Sequence, residues 1–246
     1  MRTTRRYNVA IAIGVGVVSS AGVGLVAADV LEARFGYPLR ALTVFAALIA
    51  GVMWVAGDDH PHARVGPANY VTTIRAALVA LVASVLGHPA TPEVLWAVVA
   101  LTAVASALDG VDGWVARRTG TTSGFGARFD METDALLILV LAALVWQHEK
   151  AGTWVLLCGL MRYGFVAAGW LLPWLAQPLG STWRGKAVAV GQVLGLAGAL
   201  APVVPAPLGT FVAACLLGAL ASSFAIDVRW LYRQPRKARM GHGHVG

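Results

Sequence analysis

Apolar residues along this chain gather into long runs separated by short polar or proline-bearing segments. A helix crossing the roughly 30 Å hydrocarbon core of a bilayer needs about 20 mostly apolar residues at a rise of about 1.5 Å each. Eight runs meet that length: approximately Val9 to Ala28, Leu39 to Ala56, Tyr70 to Leu86, Val94 to Ala116, Phe129 to Trp146, Thr153 to Leu172, Ala187 to Val203 and Leu208 to Leu231. Tyr37-Pro38, Gly57-Asp58-Asp59, Gly87-His88-Pro89, Pro173 with Pro178, and Pro202 through Pro207 interrupt them, and each disfavours a continuing helix. The expected architecture is all-α, a polytopic membrane helix bundle of about eight transmembrane helices.

Composition supports the bilayer as solvent. Of the 246 residues, 58% are apolar and 13% charged, against about 25% charged in an average soluble domain. The net charge of +7 does not point to a nucleic-acid partner, because the basic residues flank apolar runs, as they do in cytoplasmic membrane loops. Cys158 and Cys215 each lie inside an apolar run without a ligand-spaced neighbour, which excludes a disulfide framework or a zinc site. The first run follows Arg2, Arg5 and Arg6 like a signal peptide, yet it is long and leads into no soluble region, so a retained helix is expected.

With an even number of spans, the termini share one side. Of the 19 Lys and Arg, fifteen fall on that side, three (Arg34, Arg40 and Lys150) on the other, and Arg162 lies inside a span. The asymmetry places both termini in the cytoplasm of a multi-pass cell-membrane protein. Small residues recur every four positions in the first span (Gly16, Ser20, Gly24) and the seventh (Gly191, Gly195, Ala199), a pattern that serves ordinary helix packing or a homodimer face. The tail, 233–246, is basic and suits anionic headgroups, with His242 and His244 as a metal-binding alternative.

Carboxylates within or at the edge of a span are costly and need a reason. Asp109 and Asp112 are three residues apart near the end of the fourth span, and Asp130 and Asp134 are four apart at the start of the fifth. Both spacings put a pair on one helix face. A connection rich in Gly, Thr and Ser joins the two spans, so an antiparallel hairpin would bring all four acids to one level. Like charges raise one another's pKa, and such a cluster stays ionised only beside cations. Either arginines such as Arg117, Arg118 and Arg128 supply them, or hard divalent ions do: oxygen ligands favour Mg2+ or Mn2+, and four carboxylates suit two ions. Gly113, Ala116 and Gly126 lie at helical spacing from the acids and leave room for a bulky ligand, while Arg117 suits a bidentate phosphate clamp.

In order, Asp109-Gly-Val-Asp112-Gly113-Trp-Val-Ala116-Arg117, eight residues, Gly126, three residues, Asp130, three residues, Asp134 fits D-x-x-D-G-x-x-A-R-x8-G-x-x-x-D-x-x-x-D without a gap. This resembles the CDP-alcohol phosphotransferase family (CDP-alcohol phosphatidyltransferases). The resemblance implies a six-helix core over 57–232, preceded by two extra N-terminal transmembrane helices at 1–56. It implies that an alcohol hydroxyl attacks a phosphorus of a CDP-linked donor such as CDP-diacylglycerol and releases CMP. It further implies two Mg2+ or Mn2+ ions on Asp109, Asp112, Asp130 and Asp134, Asp134 as general base, and a CDP site at Gly113, Ala116, Arg117 and Gly126, all on the cytoplasmic side.

The segment Asn69-Tyr-Val-Thr72-Thr-Ile-Arg75 is similar to the P-N-x-x-T-x-x-R opening of phosphatidylglycerophosphate-synthase-like members, with Pro67 one position early. Asn69 and Thr72 would then touch the CDP moiety, or else act as helix caps. Arg184-Gly-Lys186 resembles the family's G-K segment. With Arg162, these cations would bind the phosphate of an acceptor such as glycerol phosphate or inositol phosphate; positive-inside anchoring accounts for Arg184 and Lys186 equally well. The family's D-P-L-A-D is here Asp130-Met-Glu-Thr-Asp134, which leaves the acceptor open. Two rival readings of the acidic cluster are an intramembrane prenyltransferase acting on a Mg-diphosphate and a divalent-cation transporter.

Overall fold

A computed structural model describes residues 39–47, 67–89, 91–119, 124–172, 174–175, 177 and 182–233; for 67–70, 112–119, 124 and 125 it describes the backbone alone. The first span, the latter part of the second and the tail beyond Arg233 lie outside these residues. Described helices are α1 (39–47), α2 (Pro67–Ser84), α3 (Pro92–Thr119), α4 (Gly124–Gln147), α5 (Leu157–Leu171, preceded by a 3-10 turn, Thr153–Leu156), α6 (Trp183–Leu200) and α7 (Ala206–Arg233). No strand occurs among the described residues.

Local chemistry sets the helix ends and moves several of them from their expected positions. Pro67 and Pro92 open α2 and α3, where the missing N–H costs nothing, so both helices begin before their apolar runs do. Thr182 caps α6 by accepting from Gly185 N at 3.1 Å, which starts that helix four residues before Ala187. Pro202 then follows its last turn, ending it before Val203. Helix α4 begins five residues before Phe129, because Gly126 and Arg128 continue the helix rather than the turn.

Among the described residues, three segments are long and apolar enough to cross a membrane: Pro92–Val111, Thr153–Leu171 and Ala206–Arg233. Apolar α2 residues Val71–Ser84 form a shorter stretch, and α4 carries Asp130, Glu132 and Asp134 in its first half. The outward faces bear Val104, Val166, Val190, Leu194, Phe211 and Ile226, all exposed, a surface suited to lipid and not to water. Trp170, Trp183, Trp230 and Tyr232 are exposed at the helix ends, as in an interfacial aromatic belt.

The core is centred on α4, which packs against α2, α5 and α6, while α3 packs on α2 and α6, and α7 on α6. Leu141, Leu144 and Val145 of α4 meet Val79 and Val82 of α2, Val98 of α3, and Leu196 and Leu200 of α6, all essentially solvent-free. Helices α4 and α5 approach closely at Gly159, where a Cβ would stand 2.5 Å from Leu139 Cα. At the other side of the core, α1 is fastened at two points. Arg40 donates to the Leu86 carbonyl at 3.2 Å beyond the end of α2, and Phe45 packs on Ala76, Ala77 and Ala80 of α2 and Phe129 of α4. The second span thus has a packing role that its sequence did not disclose.

Candidate functional site

The acidic site grows from three helices. Asp130 and Asp134 stand one turn apart on α4, and Asp109 reaches them from α3; one oxygen from each lies within 4.8 Å of the others. All three are half-buried. Ala76 and Phe129, the neighbours in sequence of Arg75 and Asp130, belong to a buried cluster with Phe45, Ala77 and Ala80 that packs α2 on α4. The three acids are all-oxygen donors at spacings a hard divalent cation can bridge.

A cation that the structure brings to the acids is Arg75 of α2, 2% exposed. Its Nη1 lies 2.9 Å from Asp109 Oδ1 and donates to Asp130 Oδ1, while Nη2 donates to Asp134 Oδ1. One planar fork therefore joins three acids on two other helices, a geometry that a lysine ammonium could not reproduce. Sequence reasoning had placed Arg75 only at the end of the Asn69 segment and among the cytoplasmic-side cations. The signal that singled out Arg162, a charge well inside an apolar helix, applies to Arg75 as well.

The other sequence-predicted residues divide into three groups. Thr72 is buried one turn before Arg75, and Gly126 is half-buried one turn before Asp130, both on the site's own helices. Asn69, Asp112, Gly113, Ala116 and Arg117 lie on the helical backbone of α2 and α3, with their side chains outside the described residues, and so does the connection at 120–123. Arg162 and Arg184 are not gathered with the aspartates. Arg162 Nη2 donates to Glu132 Oε1 at 2.6 Å between α5 and α4, Arg184 bonds Asp227 between α6 and α7, and Lys186 is exposed. Glu132 is two residues, about 200° of helical rotation, from both Asp130 and Asp134, so it addresses the opposite side of α4. Neither Glu132 nor Asp227 was foreseen as a partner.

Neither the curated proteins nor the solved structures contain a match to this chain. A family model described as CDP-alcohol phosphatidyltransferase matches residues 66–225, which takes in Arg75, Asp109, Asp130 and Asp134. That match covers well over half of the 246 residues, and the chain belongs to the CDP-alcohol phosphatidyltransferase family, whose reaction moves a phosphate-containing group from a CDP-alcohol to an acceptor.

Proposed function

We propose that this protein is an integral-membrane enzyme of phospholipid synthesis that transfers a phosphatidyl group from a CDP-linked lipid, such as CDP-diacylglycerol, to a phosphorylated alcohol. Glycerol phosphate and inositol phosphate are the acceptors that suit its cations. The observation that carries this reading is the Asp109, Asp130 and Asp134 cluster, set within the ungapped signature from Asp109 to Asp134.

Asp109, Asp130 and Asp134, with Asp112, would hold Mg2+ or Mn2+, and two ions would neutralise the diphosphate and the charge on the departing CMP. The chain's own residues then account for the rest. The acceptor hydroxyl forms a bond to the phosphatidyl phosphorus, the bond from that phosphorus to the bridging oxygen breaks, and CMP leaves with the electron pair. Asp134 takes the hydroxyl proton. Gly113, Ala116 and Gly126 leave space for the cytidine and diphosphate, Arg117 clamps a phosphate, and Asn69 and Thr72 bound the same pocket from α2. Arg162, Arg184 and Lys186 receive the acceptor's phosphate, which must compete with Glu132 for the first and with Asp227 for the second. The positive-inside asymmetry supports a cytoplasmic site.

The test is to incubate the purified protein with CDP-diacylglycerol, Mg2+ and a panel of acceptors, reading CMP release and the lipid formed. CMP and a new phosphatidyl lipid with one phosphorylated acceptor are expected. No CMP with any acceptor would refute the reading, and turnover with neutral alcohols alone would refute the acceptor assignment.

A further inference from the structure

We propose that Arg75 is the resident counter-cation of the acidic cluster, and that a divalent ion binds by displacing its guanidinium from Asp109, Asp130 and Asp134. This rests on the metal reading above and adds to it an exchange step that sets metal affinity. Three carboxylates with oxygens within 4.8 Å of one another repel unless positive charge stands among them. Arg75 supplies a charge that cannot be lost by deprotonation, and it touches all three acids at once.

The contacts make the two cations rivals. Arg75 engages Oδ1 of each aspartate, and Mg2+ or Mn2+ would need oxygens of the same three side chains at about 2.1 Å, where a neighbouring guanidinium is repelled. Arg75 is 2% exposed while Asp109, Asp130 and Asp134 are 34–37% exposed, so an ion arriving from solvent meets the carboxylates before it meets the guanidinium. The metal-free protein is thereby kept folded by its own cation, and metal affinity is lowered by whatever the exchange costs.

The experiment titrates Mn2+ into the full chain in nanodiscs, without nucleotide, and counts free Mn2+ by electron paramagnetic resonance. Thermal unfolding is followed in parallel. Arg75→Gln should bind Mn2+ at least about tenfold more tightly than the wild type, because the rival charge is gone. Its metal-free form should melt lower and recover with Mn2+. Arg75→Lys guards against a Gln variant that does not fold, since its single ammonium cannot bond three acids together. It should bind Mn2+ about threefold more tightly than the wild type. Equal or weaker binding in the variants that fold would overturn the proposal and leave Arg75 as a fixed part of the site. Absence of Mn2+ uptake by the wild type and by both Arg75 variants would instead refute the metal reading itself.

Discussion

Arg162 and Glu132 form a 2.6 Å ion pair between α5 and α4, on the side of α4 opposite the one that carries Asp130 and Asp134. Both side chains are 28% exposed, so neither charge is left alone in a low-dielectric interior. The pair changes what an acceptor phosphate must do: it has to win a guanidinium that already has a carboxylate.

Arg162→Ala should raise the acceptor KM about tenfold to a hundredfold, the loss of one charge-assisted hydrogen bond, with the KM for the CDP donor nearly unchanged. Glu132→Gln should lower the acceptor KM, because it removes the competitor and keeps the shape. Steady-state kinetics against both substrates check this. Lower thermal stability in both variants with unaltered KM values would assign the pair to helix packing alone.

Asp109→Asn should lower turnover by more than about a hundredfold, since losing a ligand costs more than the roughly tenfold to hundredfold lost with a group that merely orients one, while the protein stays folded. Asp130 and Asp134 still hold Arg75 in that variant, so α2 and α4 remain tied. Turnover assays with and without chelator, beside a melting curve, separate the two effects. Full activity in chelator would remove the metal from the mechanism.

How far the sequence could be read depended on the range of the signal. Asp109, Asp130 and Asp134 were legible because helical spacing and a short connection act locally, and the structure brings their oxygens within 4.8 Å. Arg75 was not, since its pairing joins positions 34 to 59 residues apart and nothing in the sequence around it names its partners. Phe45 escaped for a related reason: nothing in an apolar run tells a lipid-facing phenylalanine from one seated on Ala76, Ala77 and Ala80. Helix ends shifted where single residues outweighed hydropathy, as Pro67, Pro92 and Thr182 do.

Gly159→Ala tests the α4 and α5 contact. Its new Cβ would stand 2.5 Å from Leu139 Cα and 2.7 Å from Leu139 Cβ, backbone and near-backbone atoms that cannot swing aside. The helices must separate, at about 1–3 kcal/mol by the measure of overpacked cores. Thermal unfolding in detergent should show a lower midpoint, and the effect should reach activity through Arg162 and Glu132, which bridge the same two helices. An unchanged midpoint would mean that α5 moves freely against α4.

His148 supplies a pH dependence away from the acidic site. It lies just beyond the end of α4, where partial burial, and next the charge of Lys150, hold its imidazole below the usual value of 6.5. The folded protein therefore prefers the neutral ring, and the unfolded chain takes up the proton more readily. Stability from this residue is complete above pH 6.5 and is lost as pH falls through that value toward the lower folded pKa. Melting midpoints measured from about pH 8 to about pH 5 should fall below pH 6.5. His148→Gln, which cannot charge, should flatten that part of the curve. The Gln147 side chain, which accepts from Gly87 N at 2.6 Å and donates to the His88 carbonyl at 2.7 Å, would keep the α2 and α4 ends joined in the variant. A fall of equal size in the variant would assign the acid sensitivity to other groups.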